Sequence, residues 1–169
     1  TETFAEAQRN AEKLNLLFID LDKFKELNDQ FGHDYGDELL VNVSRRLQNT
    51  LKDSDFIARL GGDEFVVILR GEMQKETLAS VGEKLIKALA NPFKLKDLTY
   101  QCTSSIGIAR YPEDALTAEA LLQAADSAMY LSKNAGRNCC CFYNEEAQKQ
   151  FHSLAEQRRE IGNALEEGN

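Results

Sequence analysis

The sequence is short of positive charge: 20 Lys and Arg stand against 28 Asp and Glu, for a net charge of −8. That balance argues against nucleic acid or an anionic membrane surface as the main partner, because both call for clustered cations. Polyphosphates stay open as ligands, provided a metal ion neutralises the local charge. No apolar run approaches the roughly 20 residues needed to cross a bilayer, and no secretory leader opens the chain, so this stretch reads as soluble. Cysteine is scarce and badly placed for bridging: Cys139, Cys140 and Cys141 are consecutive and Cys102 is distant. Neighbours along a strand point to opposite faces, and neither a C-x-x-C pair nor a nearby histidine offers a zinc site. They read as small apolar residues of a buried strand in a reducing compartment, so the expected location is cytoplasmic. Internal repeats, low-complexity tracts and Pro/Gly linkers are also lacking. What remains, 169 residues with 43% hydrophobic and 28% charged, suits one globular domain with an appended helix.

Residues 1–14 are polar and read as the tail of a helix. Leu16, Leu17, Phe18 and Ile19 then form a continuous apolar run, the mark of a strand buried on both faces, which ends at Asp20, Leu21 and Asp22. Phe24, Leu27 and Phe31 recur at helical spacing. Gly32 stops that helix, and a second starts near Tyr35 with Leu39, Leu40, Val43 and Leu47 on its buried side. Apolar runs at 56–60 and 65–69 flank Gly61, Gly62, Asp63 and Glu64; a Gly-Gly between such runs predicts a hairpin, since tight turns need positive φ. A helix on Leu78, Val81, Leu85 and Leu89 is closed by Asn91 and Pro92, and a strand pair at 93–95 and 100–109 follows. A helix on Leu121, Leu122, Ala125 and Met129, a strand at 139–143 and a C-terminal helix on Phe151, Leu154, Ile161 and Leu165 complete the chain. Once an extra helix and an added strand pair are set aside, the order is β-α-β-β-α-β, an α+β ferredoxin-like arrangement. In that topology the end of the first strand and the central hairpin lie side by side.

Asp20 should therefore meet Asp63 and Glu64. Three carboxylates converging at strand ends repel one another and are costly to bury. A divalent cation relieves both costs; hard oxygen ligands favour magnesium or manganese, and a phosphate completes the shell. The competing reading makes Asp20 and Asp22 caps of the next helix, and Asp63 and Glu64 ordinary turn residues. The joint occurrence of the two motifs in this topology favours the metal site.

Phe18-Ile19-Asp20-Leu21-Asp22-Lys23-Phe24-Lys25, followed by Asn28-Asp29, Gly32-His33 and Gly36-Asp37, resembles the signature of the GGDEF family of diguanylate cyclases. Arg59-Leu60-Gly61-Gly62-Asp63-Glu64-Phe65 is similar to the motif that names that family, and Ser105-Ile106-Gly107-Ile108 resembles its later strand. Ala125-Asp126, Met129-Tyr130, Lys133 and Ala135-Gly136-Arg137-Asn138 resemble its closing helix and turn. The resemblance covers residues 1–143, while 144–169 resemble the helical connector to a following EAL phosphodiesterase domain. It implies a palm like that of nucleotidyl cyclases, and an enzyme that makes cyclic di-GMP from two GTP.

By the same resemblance, Asp20, the Leu21 carbonyl, Asp63 and Glu64 correspond to the ligands of two Mg2+ or Mn2+ ions per site with bound GTP. Asn28 and Asp37 correspond to the pair that recognises guanine, and His33 to their neighbour in the nucleotide pocket. A carboxylate can accept the donors of the guanine edge, and an amide can both donate and accept there. Lys25, Lys133 and Arg137 correspond to phosphate-binding cations; Asp63, Glu64 and Lys25 are the catalytic candidates. One GTP per domain implies a two-fold homodimer in the active form, with an upstream sensor and a downstream EAL domain as further partners. Two features depart from the family. Its usual opening, Asp-x-Leu-Thr followed by Asn-Arg, is absent, the chain starting after it. The Arg-x-x-Asp of its product-inhibition site reads Lys52-Asp53-Ser54-Asp55. A reading from another class, a catalytically silent GTP-binding module regulating an attached phosphodiesterase, is disfavoured by the retained carboxylates and lysines. ATP as substrate is disfavoured by Asn28 with Asp37.

Overall fold

The computed structural model describes residues 2–52 and 55–144; the C-terminal helix expected on Phe151, Leu154, Ile161 and Leu165 lies outside the described residues. A short helix, α1 (Glu2–Arg9), precedes β1 (Leu14–Leu21), and every residue of β1 is buried. Two helices follow, α2 (Phe24–Phe31) and α3 (His33–Thr50), then the hairpin β2 (Phe56–Gly61) and β3 (Glu64–Arg70). Next come α4 (Lys75–Ala90), the small strands β4 (Phe93–Leu95) and β5 (Leu98–Tyr100), the long strand β6 (Ser104–Tyr111), α5 (Ala118–Asn134) and β7 (Cys140–Phe142). No helix among the described residues is long and apolar enough to cross a membrane.

The central sheet runs β2-β3-β1-β6-β7, antiparallel except for the β6–β7 pair at the edge. Alternation along β1 splits the core in two. Leu17, Ile19 and Leu21 pack with α2, α3 and α4, while Leu14, Leu16 and Phe18 pack with Phe4 of α1 and with Leu121, Ala125 and Met129 of α5. Helices thus cover both faces, which is why β1 reads as an unbroken apolar run rather than an alternating one. Gly107 lets α5 lie directly on β6: a Cβ there would fall on the Ala125 carbonyl and the Met129 amide.

Three expectations need correcting. The run 100–109 is not one strand. Its first residue ends the β4–β5 sheet, residues 101–103 cross over, and β6 begins at Ser104 in the central sheet. The second helix starts at His33, directly after Gly32 (φ 98), rather than near Tyr35. Cys139, Cys140 and Cys141 are half-buried rather than buried, because β7 is the edge strand of the sheet among the described residues; Cys102 is buried, and all four are free.

Candidate functional site

The register of β1 against β3 places Asp20 directly opposite Glu64, and the Leu21 amide donates to the Asp63 carbonyl at 3.3 Å. The turn between β2 and β3 has Gly61 at φ 152 and Gly62 at φ 51, a path that favours glycine, and Arg59 Nε braces it by donating to the Gly62 carbonyl at 3.0 Å. Asp20, Asp63 and Glu64 therefore gather at one end of the sheet, with Asp20 only 7% exposed. Lys133, from the last turn of α5, reaches Asp20 Oδ2 at 2.8 Å. The other oxygen, Oδ1, is buried and has no hydrogen-bond partner. Burial, and next the neighbouring Asp63 carboxylate, push the Asp20 carboxyl up to about 7 against the pull of Lys133. Glu64 is raised as well, by burial and by the charge of Asp63.

Among the three carboxylates, only Asp20 is paired with Lys133. An orphaned buried oxygen amid oxygen donors fits a hard cation such as magnesium or manganese. Among the described residues, no three His, Cys, Asp or Glu side chains converge closely enough to hold a metal by themselves. Such an ion would complete its shell from the backbone and from phosphate oxygens.

Asp22 caps nothing. The residue preceding α2 is Lys23, at φ 62, with no side-chain cap. Instead the buried Asp22 carboxylate accepts from Thr103 Oγ1 at 2.7 Å, Ser105 Oγ at 2.8 Å and the Asn138 amide at 3.3 Å. It ties the exit of β1 to the start of β6 and to the turn after α5. Lys23, Arg137 and Asn138, the residues nearest this brace, all hold positive φ, and such strain persists only where the surroundings enforce it.

The guanine-recognition candidates form a second cluster at the α2–α3 junction. A Cβ at Gly36 would land on Asn28 Oδ1, so the glycine makes room for the amide; that Oδ1 is buried without a partner. Asp37 follows Gly36 and lines a groove of about 500 Å³ with Leu40, Arg45, Arg59 and Phe65. His33 is exposed at the start of α3, Lys25 is exposed on α2, and Arg137 is exposed in the turn after α5. Lys52 and Asp55 stand apart, in a groove of about 360 Å³ with Leu69, Arg70, Met73 and Lys84 at the far end of β3. There the Asp55 carboxylate accepts from the Lys52 amide at 2.9 Å, closing a local turn.

Sequence reasoning missed two participants. Asp22 was visible as the second carboxylate after a buried run, but its three donors come from segments far along the chain. Asp126, on α5, is pushed up to about 6 by burial and by Glu64, against Lys133; the sequence marks it only as part of the closing-helix resemblance and as a polar residue on that helix's buried stripe, with no role at the site.

Comparison with known proteins agrees with this geometry. The sequence profile of the family described as "Diguanylate cyclase, GGDEF domain" matches residues 1–139. The chain is 38% identical over 164 residues to the bifunctional diguanylate cyclase/cyclic di-GMP phosphodiesterase MucR of Pseudomonas aeruginosa, covering 95% of this chain and 24% of MucR. It is 44% identical over 133 residues to the diguanylate cyclase TpbB of the same species, covering 78% of this chain and 31% of TpbB. The solved GGDEF domain of TpbB superposes with a TM-score of 0.82 at 38% identity, covering 89% of this chain and 88% of that one. The chain spans about a quarter of MucR and a third of TpbB.

Proposed function

From its membership of the GGDEF diguanylate cyclase family, we propose that this chain condenses two GTP into cyclic di-GMP and two pyrophosphates. The observation that carries the reading is the Asp20–Asp63–Glu64 cluster, with a buried oxygen unpartnered beside Lys133. Asp20, the Leu21 carbonyl, Asp63 and Glu64 would hold two magnesium or manganese ions, which when bound polarise the phosphates and lower the pKa of the attacking hydroxyl. Asn28 and Asp37 would read the guanine edge beside His33, and Lys25, Lys133 and Arg137 would neutralise the triphosphate. In the reaction, the ribose 3′-hydroxyl of one GTP attacks the α-phosphate of the other and pyrophosphate leaves. The hydroxyl proton passes to Asp63 or Glu64. A symmetric repeat closes the ring.

Each domain presents one half of this reaction, so two would have to face each other across a two-fold axis. Specific activity should then rise with protein concentration, and strict proportionality down to concentrations where sizing shows only monomer would argue against the dimer. The tail at 144–169 would connect to a phosphodiesterase domain of the kind named in MucR. That partnership keeps a second reading in play, a silent GTP-binding regulator of such a domain. Incubating the protein with GTP and magnesium and identifying the nucleotide product separates the two. Cyclic di-GMP supports the cyclase, whereas GTP bound and returned unchanged supports the regulator.

A further inference from the structure

Among the described residues, the strands β4 and β5 pair only with each other. A lone two-stranded hairpin is marginal in water, so something else must hold it, and that something is α3. At the base, Arg46 lies 3.5 Å over the Phe93 ring and donates to the carbonyls of Ala88 at 2.9 Å, Asn91 at 2.6 Å and Pro92 at 2.9 Å. At the tip, the Tyr35 hydroxyl donates to Asp97 Oδ1 at 2.7 Å, and the Lys96 amide donates to Glu38 Oε1 at 3.2 Å. Lys96 Nζ lies 5.1 Å from the Tyr35 ring centroid and 3.8 Å from Asp34 Oδ2. Lys96 itself takes φ 51 at this turn. The hairpin is therefore fastened along just over three turns of α3, and its tip contacts converge on the first two.

The first turn is where nucleotide selectivity would reside. Tyr35 precedes Gly36, whose missing side chain admits the Asn28 amide, and its ring meets Phe31 of α2 at 5.6 Å. Asp37 is two residues further on, about 200° around the helix. It therefore points away from the hairpin, and its direction depends on how the first turn of α3 is seated. Gly32, at φ 98, offers little resistance to re-seating by itself.

We propose that the β4–β5 hairpin is a splint for base recognition: Tyr35, Lys96 and Asp97 are positioning residues that fix the first turn of α3 against α2, and through it the alignment of Asn28 and Asp37 on guanine. The proposal rests on the GTP reading above, and its test is a binding measurement, so it serves a cyclase and a silent module alike. Affinities for GTP and for inosine triphosphate, which lacks the exocyclic amine that Asp37 would accept, are measured by calorimetry on the full chain with magnesium. In Asp97→Ala and Tyr35→Phe, GTP affinity should fall about fivefold, the worth of one ordinary hydrogen bond. Inosine triphosphate, which keeps only N1–H and O6 for these side chains, should lose less, so the preference for GTP shrinks. Asp97→Asn keeps an acceptor for Tyr35 and should restore most of the preference. Glu113→Gln, in a surface ion pair elsewhere, should leave it intact. Thermal melting and amide exchange over residues 32–37 accompany each variant; the preference should fall together with faster exchange there and an unchanged melting point.

Wild-type preference for GTP with an unaltered preference in both Asp97→Ala and Tyr35→Phe overturns the splint alone. An equal loss for both nucleotides overturns it too, since that outcome marks general damage. Wild-type protein that does not prefer GTP overturns the underlying reading and the splint with it.

Discussion

The two ends of β3 handle charge in opposite ways. At the Arg70 end, opposite charges meet near the surface: Arg70 pairs with Glu6 and Glu12, and Lys13 with Glu72 and Glu113. The buried Asn15 nearby donates to the carbonyls of Leu69 and Gly71. At the Glu64 end, about 20 Å away by strand rise, like charges meet in a half-buried cluster, with one lysine beside them and an oxygen of Asp20 unpartnered. One sheet thus carries both a settled end and a frustrated one. Satisfied exposed pairs hold a fold together weakly. Crowded carboxylates weaken it, and persist where a ligand completes them.

The strongest way to break this contrast is to remove one charge from the frustrated end. Asp63→Asn should keep the fold and lower cyclic di-GMP formation by at least about a hundredfold, the loss of several kcal/mol of transition-state stabilisation. Steady-state turnover alongside Arg70→Gln is the check. Equal losses in the two variants would abolish the distinction between the ends.

A smaller effect is expected in the groove at the settled end. Lysine cannot reproduce the planar fork of arginine that grips a guanine edge or a phosphate with two bonds. Cyclic di-GMP should therefore bind weakly beside Lys52, and Lys52→Arg should tighten it about ten- to a hundredfold by calorimetry. Submicromolar binding to the unmodified protein that vanishes in Asp55→Ala would refute this.

The pH dependence of stability sharpens the contrast further. Asp20 is pushed up to about 7 and Asp126 to about 6, so the folded chain holds protons that the unfolded chain has lost. Where the folded state binds more protons, stability falls as pH rises. The decline begins near the ordinary carboxylate range and is complete above about 7. Without divalent cations, the melting temperature should thus be a few degrees lower at pH 8 than at pH 5.5, and Asp126→Asn should remove part of that fall. A melting temperature that climbs over this interval would contradict the assignment. Smallest of all, Arg70→Gln should cost no more than about 1 kcal/mol by urea denaturation.

Much of the frustrated end was legible from sequence. Asp20 follows an unbroken apolar run, Asp63 and Glu64 sit at a Gly-Gly turn, and a single topological rule brings them together. Asp22 was harder, because the sequence offers helix capping as a local use for a carboxylate there. Only the placement of Thr103, Ser105 and Asn138 shows that long-range partners win. The division of residues 100–109 was hidden for a related reason: strand propensity continues through the crossing, and pairing partners decide where one sheet stops. The exposure of Cys139 and Cys141 depends on being at a sheet edge, which composition does not encode.

The Asp22 brace has a consequence for how the site comes into being. Its three hydrogen bonds span 81, 83 and 116 residues of chain, and closures of that length come at an entropic cost that local contacts cannot repay. The strand exit bearing Asp20, the crossing before β6 and the turn carrying Arg137 can therefore be joined only when nearly the whole chain has found its place. A half-folded chain would lack the assembled site on which the proposed nucleotide binding depends. With nucleotide bound there as proposed, occupancy of the site and integrity of the domain would become a single equilibrium, each nucleotide drawing the domain toward its folded state.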